Sequence, residues 1–271
     1  MKSNPPDDLA AAIARARPRL GRLASTILCF ETVGSTNDEA ARQSSVVGHQ
    51  SEGLVVVAEE QTAGRGRRGH SWFSPPGSGL YVSVVLAPAT ATIDPARAVT
   101  LLTLAAGVAL AEGIERATGL RIDLKWPNDL QVSRRKLGGI LAESSGTTDR
   151  TDSVVVGYGI NVRRSAFPPE LRDRATSLES ELGRAVDRHP LLAETLAALS
   201  RRYEDLLAGR FDAILDAWRR LAPGASGARV AWTTNAGTAS GVTAGVDELG
   251  ALLVRIDDRL ERIVSGEVLW L

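Results

Sequence analysis

Cysteine is almost missing from these 271 residues: there is one, Cys29. A disulfide framework, a cysteine zinc cluster and a CxxC redox pair are therefore excluded. So low a cysteine content suits a reducing compartment, and cytoplasmic localisation is expected. Net charge is missing as well. Lys+Arg and Asp+Glu each total 32, which argues against a surface given over to nucleic acid or an anionic membrane. The apolar, uncharged stretch Ala98 to Ala111 falls short of the roughly 20 residues of a membrane span. It reads as a buried core helix. No apolar h-region of a secretory signal stands at the N-terminus. Arg15, Arg17, Arg19 and Arg22 would suit a transit peptide, but Asp7 and Asp8 count against one, and a short amphipathic surface helix is expected. Internal repeats and low-complexity tracts are absent. His49, His70 and His189 lack metal-ligand spacing, and no G-x-S-x-G elbow exists. Cys29 lies in an apolar strand and reads as core rather than nucleophile.

Apolar residues make up 44% and charged residues 24%, an ordinary globular balance. At roughly 150 residues per domain the chain forms one large domain or two unequal ones. Strands are expected over 27–33, 54–58, 79–86, 121–125, 136–143 and 153–162. Ser35 and Thr36 are good N-caps, and Glu39 three residues after Thr36 completes a capping box for a helix. Asp94-Pro95 starts a long helix running to about Gly119. Further helices are expected over 191–208 and 211–221. Strands flanking one long helix suggest an α+β domain. Pro223-Gly224-Ala225-Ser226-Gly227 is a composition break. Short strands beyond it, over 229–232, 239–246, 252–256 and 261–264, read as a small β barrel with a turn at Asn235-Ala236-Gly237. The expected units are an N-terminal extension (1–26), a main domain (27–223) and the barrel (224–271).

Gly64-Arg65-Gly66-Arg67-Arg68-Gly69 matches G-x-G-x-x-G after a strand. The dinucleotide fingerprint also needs a helix opening at the loop. Here His70-Ser71-Trp72-Phe73-Ser74-Pro75-Pro76-Gly77 follows, which cannot propagate one. A Walker A motif is absent too. What remains is a flexible loop with three mutually repelling arginines. It is either an anion clamp, ordered by phosphate or carboxylate, or a solvated basic loop. A second cluster, Lys125-Trp126-Pro127-Asn128-Asp129, sits at a strand end, either as a functional turn or as a turn with a packed Trp. Lys136 then heads Leu137-Gly138-Gly139-Ile140-Leu141, and Gly157-Tyr158-Gly159-Ile160-Asn161 repeats the glycine pattern. Glycines inside a strand mark a bulge or a close backbone approach by a ligand. Such cation- and glycine-rich parts suit attack of a carboxylate on the α-phosphate of ATP, where preorganised charge lowers the barrier without a protein nucleophile.

Read together, Gly34-Ser35-Thr36-Asn37, Gln61 to Gly69, Lys125 to Asp129, Lys136 to Glu143 and Gly157 to Val162 resemble the biotin protein ligases in order and spacing. Val264-Ser265-Gly266-Glu267-Val268 resembles that family's C-terminal SH3-like barrel. The resemblance implies a class II synthetase-like, mixed-sheet biotin–lipoate ligase domain. It implies formation of biotinyl-5′-AMP from biotin and ATP, then transfer to a lysine of a biotin carboxyl carrier protein, the biotin-bearing part of acetyl-CoA carboxylase. It implies that Ser35, Thr36, Asn37, Gln61, Arg65, Gly66, Arg67 and Lys136 bind biotin. Arg65, Arg67, Trp72, Lys125, Asn128, Lys136 and Asn161 would bind ATP and the adenylate. Arg65, Arg67, Lys136 and Asp129 would be catalytic, Asp129 aiding metal binding or acyl transfer. No metal site of the protein's own is implied, Mg2+ arriving with ATP. Some family members carry an N-terminal helix-turn-helix domain. Only 33 residues precede Gly34, so the monofunctional form is expected, without nucleic acid or membrane as partner and with a homodimer through sheet edges as an option. A lipoate ligase or octanoyl transferase would lack the Arg-rich loop and the barrel; a DNA-binding repressor would need a recognition helix and a basic face.

Overall fold

The computed structural model describes residues 2–3, 5–47, 51–145, 153–164, 167–234 and 237–271; His49, Asn235 and Ala236 lie outside the described residues. An eight-stranded sheet runs in the order β1–β2–β3–β4–β8–β7–β6–β5. Its strands are β1 (Lys2–Ser3), β2 (Ile27–Val33), β3 (Val55–Gln61), β4 (Gly79–Leu86), β5 (Asp123–Lys125), β6 (Asp129–Val132), β7 (Arg135–Ser145) and β8 (Ser153–Asn161). β2 and β3 are parallel, because helix α2 (Thr36–Val47) carries the crossover between them; every other neighbour is antiparallel. The result is the expected α+β fold around a mixed sheet.

Side chains alternate across a strand, and the two faces of this sheet do different work. On β8, Val154, Val156, Tyr158 and Ile160 enter the main core. That core is filled by helix α3 (Pro95–Thr118), which packs on α5 (Arg188–Leu207) and α6 (Phe211–Leu221), with the short α4 (Leu178–Leu182) ahead of α5. Val155 joins a smaller core with Ala40 of α2 on the opposite face. Gly157, Gly159 and Asn161 lie on that same face, where they line a cavity. The period of two is why the glycines recur as Gly-x-Gly.

α3 is apolar and long enough to span a membrane by composition, yet the described protein buries most of it. The expected start holds: Asp94 caps it, its carboxylate accepting the Arg97 N–H at 3.0 Å, and Gly119 ends it with φ +81°. At Gly113 the crossing with α5 is so close that a Cβ would stand 2.6 Å from Thr195 Cα.

Of the two expected caps of α2, Ser35 holds the position, its carbonyl accepting the Glu39 N–H at 3.1 Å. Thr36 is its first residue rather than its cap, and its N–H is satisfied by the Gln61 side chain at 2.9 Å. The Glu39 carboxylate accepts from Arg42 and Gln43 one turn on. A tertiary partner has replaced the local capping box.

Residues 1–26 contain β1, paired with β2, and helix α1 (Asp7–Ala16), which lies on α5 through Leu9, Ala12 and Ala16. Beyond α6 comes a five-stranded antiparallel sheet, order β12–β11–β10–β9–β13. Its strands are β9 (Ser226–Thr234), β10 (Gly237–Val246), β11 (Leu252–Ile256), β12 (Arg259–Ile263) and β13 (Val268–Trp270). Register shifts along β10 bend it, as a small SH3-like barrel requires. Trp126, buried in the main domain, donates its indole N–H to the Gly250 carbonyl at 3.0 Å and ties this sheet to the first.

Candidate active site

Every residue to which the resemblance assigns a binding or catalytic role lines one cavity of about 530 Å3, a volume suited to a cofactor-sized ligand. Its floor is the glycine-bearing face of β7 and β8. One wall is the start of α2. Ser35, Thr36 and Asn37 are each 4% exposed, and buried polar groups need partners. Gln61 accepts from the Thr36 hydroxyl at 3.1 Å and donates to Ser74 Oγ at 3.0 Å. Asn37 accepts from Ser83 at 2.6 Å and donates to Glu143 at 2.7 Å. Ser83 was not singled out from the sequence. A lone serine within the apolar strand GLYVSVVL was its signal.

The glycine loop forms the roof. It is a short hairpin rather than a free loop: Gly66 N–H donates to the His70 carbonyl at 2.6 Å and Trp72 N–H to the Gly64 carbonyl at 2.8 Å. No helix follows it. The protein's own acids supply part of the anionic order expected from a ligand. Arg65 pairs with Asp38 at 2.6 Å and with Glu143 at 2.8 Å. Arg67 and Arg68 have no carboxylate partner among the described residues. Burial lowers the Arg67 pKa; nearby Asp129 raises it, and Arg68 lowers it further. Arg68 sits in the left-handed region with φ +57°. Its guanidinium is 3.8 Å from where a Cβ on Gly266 would stand, so roof and C-terminal sheet meet at this point.

The glycines in β7 and β8 turn out to accommodate side chains of the site. A Cβ on Gly157 would fall 2.0 Å from Asn37 Oδ1, and one on Gly159 would fall 2.3 Å from Trp72 Nε1. Trp72 thereby lies flat against the sheet. Its buried indole N–H finds no protein acceptor among the described residues, an arrangement a bound ligand would relieve. The Lys136 ammonium lies 5.6 Å from the Trp72 ring centre and 2.6 Å from Asp129. Asp129 faces Gly139 across the β6–β7 pairing, which sets it beside Lys136.

Lys125, at the end of β5, has its ammonium pKa lowered, first by burial and then by the positive charges of Lys136 and Arg174, against the pull of Asp129 and Glu267. Asn128 donates to the Ile140 carbonyl at 2.6 Å, and Asn161 to the Thr176 carbonyl at 3.0 Å. One amide hydrogen of each is thus spent on the framework. Lys136 is gripped by a segment the sequence analysis did not single out. Its N–H donates to the Arg174 carbonyl at 2.7 Å, and its carbonyl accepts from Thr176 at 2.9 Å. That segment brings Phe167, Leu171 and Arg174 to the cavity, while Arg134 and Glu267 reach it from elsewhere. No local sequence signal marks these residues, because only tertiary pairing places them there. Cys29 lies buried in β2, its thiol pKa pushed up by burial, away from this cavity.

The arrangement is a concave site with an excess of cations and no cysteine in its lining, fit to hold two anions in contact. Among the described residues no three metal-ligating side chains cluster, and Asp129 is already engaged by Lys136.

Comparison with known proteins agrees with this chemistry. Residues 29–161 match the biotin/lipoate A/B protein ligase family, and residues 225–270 match the biotin protein ligase C-terminal domain. The Bacillus subtilis bifunctional ligase/repressor BirA is 39% identical over 219 residues, covering 80% of this chain and 66% of its own length. This chain therefore spans about two thirds of that relative. The Paracoccus denitrificans biotin–[acetyl-CoA-carboxylase] ligase is 33% identical over 242 residues, covering 87% of this chain and 97% of its own. The Aquifex aeolicus biotin protein ligase, solved in complex with biotin and ATP, superimposes with a TM-score of 0.74 at 29% identity, over 91% of this chain and 98% of its own. On fold, site and relatives alike, the chain belongs to the biotin protein ligase family.

Proposed function

We propose that this chain joins biotin to ATP as biotinyl-5′-AMP, releasing pyrophosphate, and passes the biotinyl group to one lysine of a biotin carboxyl carrier protein. The observation that carries the reading is that Arg65, Arg67 and Lys136 share one cavity with the buried polar wall of Ser35, Thr36 and Asn37. The polar wall suits the ureido ring of biotin. Lys136, oriented by Asp129, faces the carboxylate and the α-phosphate. Its charge and that of Arg67 offset the repulsion as a carboxylate oxygen attacks phosphorus. Trp72 offers a flat face for adenine, and Lys125 charge for ATP. Mg2+ would be carried in on the phosphates of ATP, where it supplies further charge neutralisation. The hairpin roof covers an anhydride that water would otherwise hydrolyse.

The test is incubation with biotin, ATP and Mg2+, following the adenylate by mass spectrometry and then its transfer to a carrier domain. Lipoate in place of biotin distinguishes the related ligases; adenylation of lipoate alone would overturn the reading. Lys136→Ala is expected to abolish biotin-dependent pyrophosphate exchange, and exchange at the parental rate would remove Lys136 from the mechanism. Arg67→Gly is expected to fold normally and release its adenylate, measured as free biotinyl-5′-AMP in solution. A catalytic unit of 27–223, a barrel of 224–271 and a cytoplasmic setting complete the proposal. A homodimer through a sheet edge would use β1 or β5, and light scattering tests it.

A further inference from the structure

The Asn37 amide lines the cavity with both of its hydrogens already committed to the protein. Its Nδ2 donates to Glu143 Oε2 at 2.7 Å and to the Leu141 carbonyl at 3.3 Å. Its Oδ1 accepts from the Ser83 hydroxyl at 2.6 Å and keeps a second lone pair. That oxygen stands over the cavity floor, 2.0 Å from where a Cβ on Gly157 would be. Glu143 itself does not line the cavity. It lies on β7 two residues after Leu141, hence on the same face, opposite Val155 of β8. The same Glu143 Oε2 accepts from Arg65 Nη2 at 2.8 Å, and Asp38 Oδ1 accepts from that nitrogen at 2.6 Å. One carboxylate oxygen therefore joins the polar wall of the cavity to its roof.

We infer that Glu143 is a positioning residue that sets the hydrogen-bond polarity of the polar wall: it holds the Asn37 carbonyl oxygen toward the N–H groups of a cyclic urea, and it steadies the roof through Arg65. The inference rests on the ligase reading above. Its physical basis is the charge of the carboxylate. A flipped Asn37 amide would set its oxygen against Glu143, acceptor against acceptor, with no hydrogen between them. An ionised carboxylate thus permits one orientation of the amide. A neutral amide at position 143 would permit both, because it donates as well as accepts. In the flipped form Asn37 would present N–H to a ligand that also presents N–H, and a contact would become a clash of donors. Glu143 acts on the ligand only through Asn37 and Arg65. Asp38 is the natural control, because it holds Arg65 and makes no hydrogen bond with Asn37 among the described residues.

The test measures biotin binding to the full chain by calorimetry, without ATP, in the parent, Glu143→Gln, Asp38→Asn, Asn37→Ala and the double variant Asn37→Ala/Glu143→Gln. Glu143→Gln keeps the shape and removes the charge. It is expected to weaken biotin by about tenfold, and desthiobiotin, which keeps the urea, by the same factor. Asp38→Asn is expected to leave both affinities within about twofold of the parent. With Asn37 already cut to Ala, Glu143→Gln is expected to cost less than about twofold more. That comparison also covers a loss of fold, since a destabilised protein loses affinity in both backgrounds. Parental affinity in Glu143→Gln overturns the inference. So does an equal loss in the parental and Asn37→Ala backgrounds, which would mean that the carboxylate does not act through Asn37. So does an equal loss in Asp38→Asn, which would route the effect through Arg65 alone. So does a loss for biotin that desthiobiotin escapes, which would place the effect at the sulfur ring. If the parent binds no biotin, the ligase reading itself fails; if it binds and Glu143→Gln binds equally well, only the assignment of Glu143 fails.

Discussion

Gly159 shows how a small residue carries a site without touching its ligand. The indole of Trp72 occupies the space a side chain would need, 2.3 Å from the position of a Cβ. Gly159→Ala must therefore push Trp72 off the sheet and away from the adenine we propose it holds. The expected cost is on the order of tenfold in affinity for a non-hydrolysable adenylate, about 1.4 kcal/mol, read by calorimetry, with the melting temperature nearly unchanged. Lys125 makes a pH-dependent case. Its charged form exists below its pKa, and burial lowers that pKa from the ordinary 10.5. ATP affinity is thus expected to fall as pH rises, beginning at lower pH than for a solvated lysine. Lys125→Arg keeps its charge and is expected to remove that alkaline loss; an unchanged pH profile of the KM for ATP would count against the contact.

The elements follow local signals wherever those are strong. β2, β4 and α6 begin and end at the residues expected, and α3 is bounded by Asp94 and Gly119 as its caps dictate. Missed were β6, four residues with Asp129 and Gln131 among them, β1 and β13, of two and three residues, and the five-residue helix Leu178–Leu182. Pieces this short show no period, and their pairing alone makes them strands. The long arginine loop read as flexible, since three like charges repel; Asp38 and Glu143, distant in sequence, hold Arg65 and allow the hairpin. Between α3 and α5 the contact depends on Gly113. Gly113→Val is expected to force the helices apart and destabilise the fold by about 1–3 kcal/mol, measured by urea unfolding.

Across the molecule, the first residues and the last sheet are both tied to the main domain. Arg19 grips Glu194 of α5 through two contacts of 2.6 Å, with Arg116 at 3.1 Å. The hydrogen bond from Arg19 lowers the Glu194 pKa against a partial desolvation cost. A depressed carboxylate contributes stability above its unfolded pKa and loses it as pH falls through the folded one. Glu194→Gln is therefore expected to cost about 1 kcal/mol at neutral pH, discounted for the exposure of Arg19. The difference from the parent should vanish in acid; a difference that persists there would mean packing, not charge, holds the turn after α1 against α5. At the other end, the Trp126–Gly250 bond and the contact of Arg68 with the Gly266 turn bring the C-terminal sheet to the cavity rim.

The chain's order of residues was enough to determine the types of the longer elements, the composition break at Pro223 and the motifs that converge on the cavity. Each of these is written in local spacing: caps, strand period and glycine pairs within a few residues. Which partners those residues meet was decided in three dimensions. Gln61 replaces the expected capping box, Trp72 and Asn37 lie over the glycines of β8, and residues 167–176 wall in Lys136. The physical reason is that a buried polar group takes whichever partner the packed sheet brings within 3 Å or so. Sequence distance has no part in that choice.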